Sequence, residues 1–85
     1  MNNNIENLKK KIIYRSQYRG TKEMDKLISS FVKTNINKLN INELEDLEDF
    51  LDIDDDTLYK LYTKQPYKTK IKITKITNLF KSFKY

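Results

Sequence analysis

The chain has 85 residues, and its 17 basic and 12 acidic side chains give a net charge of +5 at pH 7. It contains neither cysteine nor histidine, which excludes disulfide bridges, thiolate metal sites and catalysis by an imidazole base. We expect one domain over residues 1–85 with frayed ends, because Leu, Ile, Val and Phe supply 24 residues, enough for a small core.

The apolar spacing near the N-terminus predicts a first helix over about 5–18. Its inner face is formed by residues spaced at i, i+3, i+7 and i+8, namely Ile5, Leu8, Ile12 and Ile13. Basic residues concentrate in the second half, where the helix dipole favours them. Gly20 is placed to end this helix, as a glycine does at the C′ position.

The second helix, predicted over about 21–35, has the clearest amphipathic pattern in the chain. Thr21 can cap its N-terminus, and Glu23 and Asp25 supply acidic residues in its first turn. Its inner face is formed by Met24, Leu27, Ile28, Phe31 and Val32.

Two short helices follow, each preceded by a capping residue. Asn40, with Glu43 three residues later, predicts the start of a helix over about 41–52. The run Asp54 to Thr57 predicts another cap and a helix over about 55–64, which Pro66 prevents from continuing.

The last segment is rich in β-branched Thr and Ile, but a single strand would have no partner in this chain. We therefore predict a helix over about 69–83, with Ile73, Ile76, Phe80 and Phe83 on one face. The predicted fold class is all-α, a compact small bundle of about five short helices.

Charge is distributed in three blocks: residues 1–42 carry a net +6, residues 43–56 a net −9, and residues 57–85 a net +8. Neighbouring acidic and basic helices in one bundle explain this pattern. A small basic nucleic-acid-associated or regulatory helical protein is the alternative, with a tail surface formed by Lys68, Lys70, Lys72, Lys75, Lys81 and Lys84 together with Tyr67, Phe80 and Tyr85.

The residue types argue against an enzyme and against a metal site. Catalytic dyads need a nucleophile and a positioned base, and the carboxylates here crowd on one polar helix. The acidic run at 52–56 lacks the glycine and terminal glutamate of a calcium loop. With one glycine, the chain has no glycine-rich phosphate loop. We predict no catalytic residue and no bound metal.

Residues 15–25, here called the corner, hold both arginines and the only glycine. An ordinary connection between two helices, with a glycine and a capping threonine, explains the segment. A partner-binding surface also explains it. In that second interpretation the planar guanidinium of Arg19 binds a partner carboxylate or carbonyl. Gly20 leaves a bare backbone, and Glu23 accepts hydrogen bonds from partner donors. Alternatively, Glu23 pairs with Arg19 inside the molecule.

The corner also carries a family resemblance. Arg19-Gly20-Thr21-Lys22-Glu23, followed by Met24-Asp25, resembles the Arg-Gly-x-x-Glu signature of the SdhE family, the flavinylation (FAD assembly) factors of succinate dehydrogenase. Tyr14-Arg15 upstream and the acidic segment leading into Asp54 to Tyr59 are similar to that family as well. The resemblance covers about 12–64, and the tail after Pro66 lies outside it.

The resemblance implies an assembly chaperone that binds the flavoprotein subunit of succinate dehydrogenase or fumarate reductase and promotes covalent attachment of FAD. It implies that Arg19, Gly20 and Glu23 contact the partner with support from Arg15 and Asp25, and that FAD belongs to the partner. We expect a monomer. Residues 1–4 lack the layout of a signal peptide and no apolar run approaches 18 residues, so we expect a cytoplasmic location without membrane insertion.

Overall fold

A computed structural model describes residues 3–84, which fold into five α-helices and one turn of 3-10 helix without a β-strand. The helices are α1 (Asn3–Arg15), α2 (Lys22–Asn35), α3 (Ile41–Phe50), α4 (Asp55–Tyr62) and α5 (Lys75–Ser82), and the 3-10 turn Ile36–Lys38 extends α2. The predicted all-α bundle is confirmed. The predicted fraying of the ends falls on residues 1, 2 and 85, which lie outside the described residues.

The core is built around α3, which packs against α1 on one side and α5 on the other. Phe31, Phe50 and Phe80 are buried at its centre, with ring centroids 5.0, 5.1 and 5.7 Å apart. Tilted and edge-on contacts at these separations are favourable for aromatic pairs. The phenylalanines therefore stabilise the interior, and Phe80 is not available to stack on a nucleic-acid base.

Three predicted N-caps are confirmed. The side chains of Thr21, Asn40 and Asp54 each accept a hydrogen bond from a backbone N–H in the first turn of the helix that follows. Asn40 and Glu43 form a complete capping box, in which each side chain bonds to the backbone N–H of the other residue at 2.9 Å. These local bonds fix where α2, α3 and α4 begin.

Two of the capping carboxylates are easier to ionise than usual. The backbone N–H of Asn40, helped by the ammonium of Lys75, lowers the pKa of Glu43. The hydroxyl and backbone N–H of Thr57 lower the pKa of Asp54. Both shifts arise because hydrogen bonds favour the charged form of the carboxyl.

The end of α1 differs from the prediction. The helix stops at Arg15 rather than at residue 18, and the buried Ser16 hydroxyl bonds to the Ile13 carbonyl at 2.6 Å, competing with helical hydrogen bonding. The left-handed residue is Tyr18, with φ of 59°, whereas Gly20 has no positive φ. The prediction of Gly20 as a left-handed C′ residue is therefore wrong.

The start of the last helix also differs, because α5 begins at residue 75 and not near 69. The Thr74 hydroxyl accepts hydrogen bonds from the backbone N–H groups of Ile76 and Thr77 and so defines the N-terminus. Residues 65–74 are irregular, and β-branched side chains in this stretch lower its helix propensity.

The acidic helix α3 lies between basic segments, which confirms the expectation from the charge blocks. Cross-segment ion pairs are formed by Lys11–Glu48 at 2.7 Å, Lys75–Glu43 at 3.0 Å and Lys72–Asp46 at 3.8 Å. Such partly exposed pairs contribute little individually, about 0–1 kcal/mol each. Since two tail lysines are engaged in this way and Phe80 is buried, the alternative nucleic-acid surface is not favoured.

Candidate functional site

The guanidinium of Arg19 is turned into the molecule. Its Nε donates to Asp55 Oδ1 at 2.8 Å, its Nη1 to the Leu51 carbonyl at 3.0 Å, and its Nη2 to the Ile53 carbonyl at 2.8 Å. Its side chain is only 12% exposed. We call these contacts the Arg19 network. The prediction that the Arg19 guanidinium points outward is therefore wrong. The role of Arg19 in partner binding stays a prediction, and it would be indirect.

The Arg19 network explains why this position needs arginine rather than lysine. The acceptors are the carbonyl of Leu51, which caps the C-terminus of α3, the carbonyl of Ile53, and a carboxylate in the first turn of α4. Backbone carbonyls at the C-terminal end of a helix have no hydrogen-bond donor within the helix and carry partial negative charge. They therefore need donors from elsewhere. Only a planar group with several N–H donors in a fixed fork can reach all three acceptors at once.

Gly20 is required for a close approach, and the group that approaches belongs to this chain. Its backbone N–H donates to Asp55 Oδ2 at 2.7 Å, and a Cβ at this position would lie 3.0 Å from the same oxygen. The residue remains solvent-exposed on its other side. Asp55 thus joins Arg19 and Gly20 through its two oxygens and fixes the corner against the start of α4.

Arg15 and Asp25 also hold the corner in place. Arg15 forms ion pairs with Asp52 and, at 3.9 Å, with Glu48. The Asp25 carboxylate accepts the backbone N–H of Arg19 at 3.0 Å. The structure therefore places both residues in contact with the chain's own groups. Their predicted role in supporting the partner-binding residues stays a prediction.

Glu23 is the one predicted partner-binding side chain of the corner that has no hydrogen-bond or ion-pair partner in residues 3–84. It lies exposed in the first turn of α2, and its carboxylate has no ion pair or hydrogen bond with any side chain in residues 3–84. The alternative in which Glu23 pairs with Arg19 is wrong, because Asp55 occupies that guanidinium. Beside Glu23 is a shallow hollow whose walls include Met24 and the half-exposed Tyr59.

Two tyrosines that were not predicted as site residues are exposed here: Tyr18 lies in the corner and Tyr14 lies directly before it. Tyr14 and Tyr18 are 70% and 78% exposed, and their rings meet edge-on with centroids 6.3 Å apart. Their spacing of four residues was visible in the sequence. Glycine is the residue expected in a left-handed conformation, so the sequence favours Gly20 over Tyr18 for that role.

The acidic run at 52–56 is dispersed among separate partners. Its contacts run from Asp52 to Arg15, Asp54 to Thr57, Asp55 to Arg19 and Gly20, and Asp56 to Lys60. Within residues 3–84 no group of three or more acidic side chains is arranged to hold a metal ion. In the same range, none of the helices combines the length and apolar character that crossing a membrane requires.

Comparison with known proteins gives consistent matches. The family model described as flavinator of succinate dehydrogenase matches residues 10–84, which extends past Pro66 into α5. A Dictyostelium discoideum protein named succinate dehydrogenase assembly factor 2, mitochondrial, is 38% identical over 61 residues, covering 72% of this chain and 43% of that protein. The protein of the same name from Aspergillus flavus is 31% identical over 62 residues, covering 73% and 21%. The chain spans less than half the length of these relatives, and no solved structure matches it.

Proposed function

Since this chain belongs to the family of flavinators of succinate dehydrogenase, we propose that it binds the flavoprotein subunit of succinate dehydrogenase, or of fumarate reductase, and promotes covalent attachment of FAD there. The observation that carries the proposal is the corner, where the Glu23 carboxylate, which has no side-chain partner in residues 3–84, and the bare backbone of Gly20 are exposed to solvent. The Arg19 network supports it by making that surface rigid.

In this proposal the chain performs no bond-making step. The flavoprotein joins its own histidine to the flavin, and FAD stays the cofactor of the partner. The chain, which has neither histidine nor cysteine, contributes a surface that holds the partner so that the reacting atoms meet. Holding two groups in a reactive orientation accelerates a reaction without adding any functional group. We therefore propose a chaperone and not an enzyme, and its cytoplasmic location stays a prediction.

The division of labour within the corner follows from the contacts. The carboxylate of Glu23 has no side-chain partner in residues 3–84 and can accept hydrogen bonds from partner donors, and charge-assisted bonds of this kind are the stronger ones. Gly20 presents a backbone without a side chain, which lets another chain come close. Arg19 and Asp55 act as positioning residues, because their side chains bond to each other and to the main chain of this protein.

The test is co-expression of the flavoprotein with Glu23→Gln, followed by denaturation and measurement of flavin fluorescence that remains bound to the polypeptide. Glu45→Gln is the matched control, because Glu45 is also an exposed helical carboxylate with no side-chain partner in residues 3–84. We expect tenfold less covalent flavin with Glu23→Gln and the normal amount with Glu45→Gln, at equal melting temperatures.

Normal flavin attachment with Glu23→Gln would remove Glu23 from the interface. If omitting the chain altogether left flavin attachment unchanged, the proposed function itself would be wrong. A lower melting temperature for Glu23→Gln would instead assign the residue to helix stability.

A further inference from the structure

Tyr18 has a backbone conformation that its side chain does not explain. Of the non-glycine residues in 3–84, only Tyr18 and Lys64 have positive φ, at 59° and 61°. Lys64 directly follows the C-cap of α4, where left-handed residues are common. A bulky aromatic residue disfavours this conformation, whereas glycine and asparagine tolerate it. Strained residues of this kind often lie at functional sites.

Within residues 3–84, no hydrogen bond or ion pair of the Tyr18 side chain offsets the strain. It is 78% exposed, its hydroxyl has no hydrogen-bond partner among the described residues, and its ring contact is with Tyr14, which is itself 70% exposed. Tyrosine pairs of this kind offer a large, stiff contact area with a polar tip, which is why tyrosine is enriched at protein interfaces.

The charge beside the tyrosines indicates the chemistry of what they contact. Tyr18 borders a hollow whose other walls include Lys26 and Lys33, and neither lysine forms an ion pair within residues 3–84. The one carboxylate in that hollow, of Asp25, has an oxygen bonded to the Arg19 N–H. The complementary surface is therefore one that presents carboxylates around a spot that accepts an aromatic ring.

We infer that Tyr14 and Tyr18, with Lys26 and Lys33, form a docking surface for an acidic patch on the flavoprotein subunit. This inference rests on the proposed function and extends the contact beyond Gly20 and Glu23. The chain holds Tyr18 in a left-handed conformation so that its ring stands out from the corner. Stability and binding therefore oppose each other at this position.

The test uses Tyr18→Asn, with Lys64→Asn as the matched control at the other left-handed position. Binding of each variant to the purified flavoprotein subunit is measured by calorimetry, and melting temperatures are recorded. We expect Tyr18→Asn to bind at least tenfold more weakly while melting at or above the wild-type temperature. Lys64→Asn should bind normally.

The contribution of Lys26 and Lys33 to binding is tested by measuring how affinity depends on salt concentration. Raising NaCl from 50 to 300 mM should weaken wild-type binding, and the Lys26→Gln, Lys33→Gln double variant should bind more weakly with a smaller salt dependence. The inference is overturned if Tyr18→Asn binds the flavoprotein subunit as tightly as wild type does, or if it binds more weakly and also melts at a lower temperature. In either case, binding by the wild-type chain would still support the proposed function. Absence of wild-type binding overturns both.

Discussion

Replacing Arg19 with alanine tests whether the Arg19 network holds the fold at the corner. The change removes the three hydrogen bonds that the charged guanidinium donates. The carbonyls of Leu51 and Ile53 then lose their guanidinium donor. Bonds to charged groups contribute about 1.5–3 kcal/mol each, but water can replace part of this because the Asp55 side chain is 26% exposed. We expect the free energy of unfolding to fall by roughly 2–4 kcal/mol.

The other arginine of the chain provides the matched control. Arg15 has a side chain 32% exposed, and its partner Asp52 is 67% exposed, so Arg15→Ala should lower stability by only about 0–1 kcal/mol. Arg19→Lys should recover a fraction of the loss, since one ammonium cannot reach all three acceptors.

The assay is urea and thermal unfolding followed by circular dichroism. In a domain of this size each kcal/mol shifts the melting temperature by about 4–8 °C, so Arg19→Ala should melt roughly 8–32 °C below wild type. If Arg19→Ala and Arg15→Ala lowered stability equally, the Arg19 network would add nothing beyond an exposed ion pair, and the reasoning would be refuted.

The remaining predictions concern the glycine and two capping carboxylates. Gly20→Ala should lower stability by about 0.5–1.5 kcal/mol in urea unfolding, because the new Cβ would press on Asp55 Oδ2 at 3.0 Å; an unchanged midpoint would contradict this. Since the pKa values of Glu43 and Asp54 are lowered in the folded state, the unfolded chain binds more protons in acid. The stabilisation from these two carboxylates should be constant above about pH 5 and decline as pH falls through and below about 4; Glu43→Gln should reduce that decline.

The sequence predicted those features whose causes lie within a few residues. Thr21, Asn40 and Asp54 were recognisable as caps because each bonds to a backbone N–H within three residues. The amphipathic face of α2 was equally clear because burial repeats with the helical period. Helix identity and most boundaries followed from these local signals.

The errors arose where distant contacts decide the outcome. The direction of Arg19 depends on Asp55, 36 residues further along the chain, and no periodicity reveals such a pair. Gly20 was predicted to leave a bare backbone for a partner, whereas the group that lies closest to it in residues 3–84 is the chain's own Asp55, 35 residues further along. The start of α5 was misplaced because Thr74, one of several β-branched residues, is distinguished from its neighbours only by the cap that it forms.

The Arg19 network joins the connection between α1 and α2 to the connection between α3 and α4, which are far apart in the chain. Neither connection can therefore open alone. The amide of Gly20 donates to Asp55 in the first turn of α4, and should exchange with deuterium only when this link to α4 breaks. A protein seated on the corner would then slow exchange at residues 51–55, which it does not touch. Protection at that remote connection would report occupancy of the corner.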